Sequence, residues 1–395
     1  MKISQAETLH CDAGWRNFSF LKLVTADGIV GWSEFSEGFG TAGLGAVIEA
    51  LGKTIIGEDP RRIGLITTTL YTKVTPARAG LNHLAIAAIE NALLDIKAKA
   101  LGVPMYDLFG GAIRTRIPLY WSHCGTYRAR NADLVGVPPL KTYDDIFRLG
   151  EEVKRRGFRG LKTNILLPGK DGFTSFNPGF GRTPGFPALN WDYGVLEAAR
   201  RQLKTFREAI GPETALHLDI NFHFRTEGFR RVAEAVAPFA LSWLELDTYD
   251  PDSLALIRRD APCPIASCEV LTSRREFKRY FETYAMDVAI IDVPWNGLAE
   301  SVKIAAMAEA YEVNVAPHNF YGHLCSMMSA HFSAVVPNFR VMEIDVDSVR
   351  WRDEFFIDPP AIENGELVVP DKPGWGIEVN EKAVRARPPQ SLNRA

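Results

Sequence analysis

The sequence lacks several features that would place it in a specialised class of proteins. No apolar stretch reaches the ~18 residues that a membrane-spanning helix needs. The 45 basic and 48 acidic side chains leave a net charge of −3 with both signs spread along the chain. This balance excludes a basic surface for nucleic acid or anionic lipid. The start, MKISQAETLHCDAGW, has no apolar core of a secretion signal, so we expect a cytoplasmic protein.

Cysteine is also scarce. The five cysteines are odd in number, far apart and without C-x-x-C spacing: Cys11, Cys124, Cys263, Cys268 and Cys325. This pattern predicts neither a disulfide framework nor a zinc cluster, and we expect free thiols. Cys268 stands beside Glu269, but a nucleophilic role would require a lowered pKa.

What is present is an enzyme-sized chain of 395 residues with ordinary hydrophobic content, which predicts several domains or one large barrel. The first ~115 residues read as strands followed by helices. FSFLKLVTADGIVGWSE alternates apolar and polar positions around Asp27-Gly28, a strong hairpin signal. Residues 81–100 then carry apolar side chains at helical spacing, and Gly102 follows them.

From Ile117 onward, short β-branched runs alternate with amphipathic helical stretches. The predicted strands are IPLYW, GLKTNI, ALHLDI, LSWLEL, PIASC, VAIID, NVAPH and VMEI. This alternation predicts parallel strands with crossover helices, and eight strands favour a closed barrel, with a doubly wound open sheet as the alternative. Residues 167–191, rich in Gly, Pro and Phe, break the rhythm, and we predict a lid or a subunit contact there.

Each of six successive predicted strands ends in a polar or ionisable residue. They are Asp219, Glu245, Glu269, Asp292, His318 and Glu343, spaced 23 to 26 residues apart. Because strand carboxyl ends meet at one face of a parallel barrel, we expect these side chains to gather there.

Three of these acids offer oxygen donors for a hard cation. Burying Asp219, Glu245 and Glu269 together is unfavourable without a counter-charge. Magnesium suits such a set of ligands, and manganese is an alternative.

The remaining strand-end groups suggest proton transfer. Asp292 can orient one nitrogen of His318 and leave the other to take a substrate proton. Lys162, ending GLK, would place a cation or a second base across the site. Asn221 faces the same side by strand alternation, as would His223 if the strand continues, although His223 fits a loop equally well.

These residues are similar to a known pattern. AIAAIENALLDIKAKALGVPMYDLFGG, residues 85–111, resembles the signature near the end of the capping domain in the enolase superfamily, in its mandelate racemase and muconate-lactonising branch. The strand-end series resembles the mandelate racemase subgroup, and PDKPGWGIEV resembles the closing segment of the family. The resemblance implies an α/β protein: an amino-terminal α+β capping domain, residues 1–115 completed by 355–395, and a TIM-like (β/α)7β barrel over 116–354.

The resemblance also implies chemistry: removal of the proton α to a carboxylate, giving a magnesium-stabilised enediolate. It makes the three acids metal ligands and His318 with Asp292 the base dyad. Glu343 matches an acid that hydrogen-bonds the enediolate. The partner is then a small carboxylate substrate, and a homo-oligomer is expected.

One departure from the family pattern narrows the choice among possible reactions. Many relatives carry Lys-x-Lys on the second strand, whereas this chain has Lys162-Thr163-Asn164, and Asn164 cannot take a proton. Racemisation needs a proton carrier on each face of the carbon, so the change favours dehydration of a sugar acid, an aldonate or aldarate. Lys162 as second base keeps a racemase, epimerase or cycloisomerase open, and a non-catalytic binding barrel is the remaining alternative. The fourth strand also departs from the family pattern, because it has Glu245-Leu246-Asp247 where relatives often have Glu-Glu-Pro. This difference concerns only the local geometry of that strand end.

Specificity in this family comes from two capping-domain loops, here around 12–17 and 35–41. Arg16 could bind a distal carboxylate or hydroxyls, and Trp15 and Phe39 could seal the site from water. Asn164, Asn221 and His223 complete the predicted substrate contacts.

Overall fold

The computed structural model describes residues 1–38, 40–178 and 191–391. Its strands are β1 (Ile3–Asp12), β2 (Asn17–Thr25), β3 (Val30–Phe35), β4 (Arg116–Ser122), β5 (Gly160–Thr163), β6 (Leu166–Gly169), β7 (Gly172–Ser175), β8 (Ala215–Asp219), β9 (Trp243–Glu245), β10 (Ile265–Ser267), β11 (Val288–Asp292), β12 (Asn314–His318), β13 (Met342–Asp345), β14 (Phe356–Ile357), β15 (Ile362–Glu363), β16 (Glu366–Val368) and β17 (Glu378–Val379).

Its α-helices are α1 (Leu44–Lys53), α2 (Ile63–Lys73), α3 (Leu81–Leu101), α4 (Thr126–Val135), α5 (Tyr143–Arg155), α6 (Tyr193–Ile210), α7 (Thr226–Val236), α8 (Pro251–Asp260), α9 (Ser273–Glu282), α10 (Val293–Asn296), α11 (Leu298–Ala310), α12 (His323–Val335) and α13 (Glu381–Ala386). In the ranges that the structure describes, none of these helices is both long and apolar enough to cross a membrane.

The amino-terminal region is a three-stranded antiparallel sheet covered by helices. β2 and β3 pair around the predicted turn, where Gly28 has φ +87°, a value that favours glycine. The hairpin is therefore confirmed, and so is the helix predicted for residues 81–100, which is α3. Its apolar side chains pack with those of α1 and α2 and with the sheet, and Ile48, Leu70 and Ile89 lie fully buried in this core.

The eight predicted barrel strands all form. β4, β5, β8, β9, β10, β11 and β12 pair in parallel in that order, and β13 pairs in parallel with β4. A bridge between Val315 and Phe339 brings β12 beside the chain entering β13 and closes the ring. Seven strand-to-helix connections followed by an eighth strand make a (β/α)7β barrel. The closed-barrel prediction is confirmed, and the open doubly wound sheet is excluded.

The barrel interior is filled by side chains. Tyr120, Trp243 and Ile290 belong to a compact buried cluster inside the ring, below the strands' carboxyl ends. By contrast, α12 is buried on every side, so its sequence, HLCSMMSAHFSAV, lacks an amphipathic pattern.

The prediction of an irregular segment over 167–191 is wrong in part. Its first residues belong to an antiparallel hairpin of β6 and β7. Residues 179–190 lie outside the described residues, as does Phe39, so the lid or subunit contact stays a prediction.

The carboxyl-terminal tail contacts both regions. Trp375 donates its backbone N–H to Asp95 at 3.1 Å and its indole N–H to the Trp32 carbonyl at 2.9 Å, which ties the tail to the amino-terminal region. β16, however, pairs antiparallel with β4 and so extends the barrel sheet. The expected return to the amino-terminal region thus describes only part of the tail.

Candidate active site

The predicted strand-end residues meet at the carboxyl end of the barrel. Parallel pairing sets Asp219 beside Glu245 on β8 and β9, and Asp292 beside His318 on β11 and β12. Glu343 lies on β13, and these five side chains are buried. The closed barrel therefore gathers groups that are up to 124 residues apart in the chain, Asp219 and Glu343 being the outermost.

Lys162 lies between three of the carboxylates. Its Nζ is 2.6 Å from Glu245, 2.9 Å from Glu343 and 3.6 Å from Asp219. Burial is the largest single influence and lowers the lysine pKa, but the carboxylates together raise it well above its usual value. Lys162 is thus a buried, ion-paired ammonium group.

The two nearest acids respond to Lys162 in different ways. Burial raises the pKa of Glu245 to about 7, with Lys162 opposing, and its second oxygen accepts from the Trp243 indole N–H at 2.9 Å. Burial is also the largest influence on Glu343 and raises its pKa, but Lys162, His318, His123 and the Ser122 hydroxyl together lower it below normal. Glu343 further accepts from the Ser122 hydroxyl at 2.5 Å and the Asn319 backbone N–H at 2.7 Å.

The third predicted metal ligand turns toward the histidine. Glu269 Oε2 is 3.4 Å from His318 Nε2, and burial raises the pKa of Glu269 well above normal. In the described part of the chain, no three His, Cys, Asp or Glu side chains are oriented to ligate one metal ion together.

The donor chemistry nevertheless fits a hard divalent cation. Asp219 and Glu245 end β8 and β9, and the partly buried Glu269 lies two residues after the end of β10. Asp247, just after β9, adds a further, buried carboxylate. The Asp247 Oδ2 atom is buried and has no hydrogen-bond partner among the described residues, and burial raises the Asp247 pKa to about 6. A cation would relieve this excess of buried negative charge.

His318 is held by a network of hydrogen bonds. Its Nδ1 lies 2.7 Å from Asp292 Oδ2, which also accepts from the Tyr321 hydroxyl at 2.5 Å. The other Asp292 oxygen accepts from the Trp295 backbone N–H at 2.8 Å. Burial lowers the His318 pKa, but Glu269 and Asp292 raise it to about 10 overall. The imidazole is therefore oriented with Nε2 directed toward Glu269.

Three residues were predicted as polar substrate contacts, and the first of them, Asn164, is hydrogen-bonded within the protein. The Asn164 amide accepts from the Thr126 hydroxyl at 2.9 Å and donates to the Asp219 carbonyl at 3.2 Å. β8 ends at Asp219, so the strand alternation that predicted Asn221 on the same face as Asp219 does not apply. Asn221 has φ +41° and donates its backbone N–H to the Asp219 side chain. His223 lies beyond the strand, buried and edge-on to an aromatic ring, and burial lowers its pKa to about 4.

The capping-loop residues reach the barrel. Arg16 donates to the Phe320 carbonyl and, at 3.1 Å, to Asp345. Trp15 lies 4.7 Å from Tyr127, ring centre to ring centre. Arg16 therefore already has a carboxylate partner, which the sequence did not reveal.

His123 and Tyr321 are among the groups at this end that were not predicted. His123 follows β4 and its Nδ1 lies 2.8 Å from Asp345, and the strand-end rule applied to IPLYW would have found it. No periodic pattern identifies Tyr321. Cys268, in contrast, is a buried free thiol whose pKa burial raises well above normal, which argues against a nucleophilic role.

Comparison with known proteins gives matches along most of the chain. The family model for the mandelate racemase / muconate lactonizing enzyme N-terminal domain matches residues 11–110, and the model described as enolase C-terminal domain-like matches residues 148–383. Among curated relatives, a D-galactonate dehydratase family member from Halomonas elongata is 29% identical, covering 98% of this chain and 95% of its own.

Solved structures include a more similar protein. A crystal structure from Burkholderia xenovorans, named as a candidate L-alanine-DL-glutamate epimerase, is 47% identical with a TM-score of 0.97 and covers 100% of both chains. A second structure of that name, bound to magnesium and fumarate, is 48% identical with a TM-score of 0.96, covering 98% of this chain and 96% of its own.

Proposed function

Since the chain belongs to the mandelate racemase and muconate lactonizing enzyme family of the enolase superfamily, we propose that it is a magnesium-dependent dehydratase, a lyase acting on an aldonate or aldarate. The observation that carries this proposal is the asymmetry of the site. His318 is an oriented base on one side, whereas Asn164 stands where many relatives have a second basic lysine, its amide bonded within the protein. One proton carrier is sufficient for elimination.

The reaction proposed begins at His318. The neutral form of His318 is the reactive one: its unprotonated Nε2 removes the proton α to the substrate carboxylate, and the C–H electron pair moves into the carboxylate to form an enediolate. The resulting imidazolium, stabilised by Asp292, donates its proton to the β-hydroxyl. That group leaves as water when the enediolate electrons return, and the enol product tautomerises to a 2-keto-3-deoxy acid.

Asp219, Glu245 and Glu269 would hold the magnesium ion, with manganese as an alternative. When bound, the ion supplies Lewis-acid stabilisation of negative charge on the substrate carboxylate. The donor chemistry supports this assignment, as does the magnesium reported for the 48% identical relative.

The chain's other groups complete the site. We assign Lys162 to charge neutralisation at the substrate carboxylate. Glu343, in its protonated form, would donate a hydrogen bond to the enediolate, since an ionised carboxylate has no hydrogen to donate. Tyr321 positions Asp292 through the shared oxygen and so fixes the plane of His318. Arg16 and Trp15 of the capping loop would close the distal end of the pocket, while Asn221 and His223 would contact substrate hydroxyls.

A second candidate is an epimerase on the same scaffold. The name of the 47% identical relative favours it, and Lys162 would then be the second proton carrier. The contacts of Lys162 weigh against that role, because its ammonium group is directed at three carboxylates. The curated relatives that share about 29% identity are named as dehydratases instead.

One experiment separates the two. The enzyme with magnesium chloride in deuterated water is offered a stereochemically complete aldonate and aldarate library and, in parallel, L-Ala-DL-Glu dipeptides. Formation of a 2-keto acid that depends on His318 supports dehydration. Deuterium at the α-carbon of an isomerised product, without loss of water, contradicts it. A blank result with both classes, unchanged in His318→Asn, favours a non-catalytic binding barrel.

A further inference from the structure

A cavity of about 380 Å³ opens at the amino-terminal end of the barrel, at the opposite end from the candidate active site. Small residues line it near the starts of three strands: Gly160 begins β5, Ala215 begins β8, and Pro118 is the third residue of β4. They leave space that the interior of such a barrel normally fills. The volume lies within the range of pockets that bind small molecules.

The deep wall of this cavity contains an unsatisfied histidine. His217 is 1% exposed, and neither ring nitrogen has a hydrogen-bond partner in the part of the chain that the structure describes. Its ring stacks on Trp243 with centres 3.7 Å apart, which fixes its orientation. Its unpartnered ring nitrogens are therefore able to hydrogen-bond a ligand in the cavity.

The mouth of the cavity carries arginine side chains. Arg340 is exposed, donates to the Ser242 carbonyl at 3.3 Å and lies over the Trp243 ring, but forms no ion pair with a carboxylate of the described residues. Arg159 also lines the cavity and lies 3.4 Å from Glu366. At least one guanidinium group is thus available to an anion.

We propose that this cavity binds a small oxyanion that also carries a hydroxyl group, with Arg340 pairing to its charged oxygens and one ring nitrogen of His217 bonding to its hydroxyl. A hydroxycarboxylate and hydrogen phosphate share this chemistry. Trp243 forms part of the wall and donates to Glu245 at 2.9 Å, so a bound anion would lie one side chain from the candidate metal ligands. The proposal is independent of the reaction assigned above.

The test is calorimetric titration of the full-length protein with inorganic phosphate, L-malate and succinate at constant ionic strength. Saturable binding of phosphate identifies an inorganic ligand, and preference for malate over phosphate identifies an organic one. Succinate, which lacks the hydroxyl of malate, should bind more weakly. Arg340→Ala, at an exposed position, should weaken binding about tenfold, whereas Arg259→Ala, another exposed arginine, should leave it unchanged.

Two further variants, at His217 and Lys162, distinguish binding in this cavity from binding at the candidate active site. His217→Met removes both ring nitrogens and should abolish the difference between malate and succinate. Malate binding that persists in Arg340→Ala but is lost in Lys162→Met belongs to the other end of the barrel and overturns the proposal. Absence of saturable binding by both phosphate and malate overturns it as well.

Discussion

A buried histidine lies toward each end of the barrel, and the pKa values of the two shift in opposite directions. At the carboxyl end, His318 faces Asp292 and Glu269, and its pKa rises to about 10 although burial opposes this. At the amino end, His217 has no hydrogen-bond partner in the described residues and burial lowers its pKa well below normal. The same residue type thus has a raised pKa beside carboxylates at one end and a lowered pKa in an apolar, positively charged environment at the other. The difference lies in the nearby carboxylates, because both side chains are buried.

The largest effect is expected when the paired histidine, His318, is removed. His318→Asn should lower kcat for 2-keto acid formation about 10³-fold, because it removes the proton carrier. Steady-state kinetics with magnesium measure this, and circular dichroism checks folding. His83→Asn, at a buried histidine of the amino-terminal region, is the matched control and should keep its activity. Full activity in His318→Asn would contradict the proposed mechanism.

The next effect concerns the charge at the carboxyl end. Lys162→Met leaves three buried carboxylates without their ammonium partner and should reduce the free energy of unfolding by about 3 kcal/mol. Magnesium should restore part of this loss, since two of these acids, Asp219 and Glu245, are proposed ligands of the ion. Urea unfolding with and without magnesium provides the measurement.

Lys99→Met is the control for that experiment. Lys99 is partly buried in the amino-terminal region and pairs with Asp95 and Glu378. The Lys99→Met variant should have a lower free energy of unfolding than the wild type, and magnesium should not restore it. Equal recovery in both variants would show that the ion acts elsewhere.

A smaller effect tests the positioning of Asp292. Tyr321→Phe removes the hydroxyl that donates to Asp292, and we expect about a tenfold lower kcat with KM unchanged. Tyr280→Phe, which removes a hydroxyl bonded to the Thr248 carbonyl, should leave kcat unchanged. An equal loss in both variants, or a change confined to KM, would assign Tyr321 a purely structural or binding role.

The smallest effect concerns the unpaired histidine. The pKa of His217 is lower in the folded than in the unfolded protein, so only the unfolded chain takes up this proton as pH falls below about 6.5. His217 therefore contributes stability above that pH that is lost in acid. His217→Met should weaken this dependence by about 1 kcal/mol between pH 7.5 and 5.5. Urea unfolding at both pH values tests it, and parallel curves for the two proteins would contradict it.

The carboxyl end was more predictable than the amino end. Asp219, Glu245, Asp292 and His318 each follow an apolar run, and parallel strands bring such residues together wherever the ring closes. His217 sits in the middle of such a run, ALHLD, where nothing in the sequence distinguishes a bonded histidine from an unbonded one. Strand alternation also failed for Asn221, because the strand ends two residues earlier.

The sequence by itself determined the eight strands, their order and the chemical types at their ends, because strand periodicity and turn residues are local properties. Only the tertiary structure decided which polar and charged side chains became partners: Lys162 with three acids, Arg16 with Asp345, and Tyr321 with Asp292. Such pairings depend on side-chain directions and distances across the closed ring, and those are settled when the barrel packs.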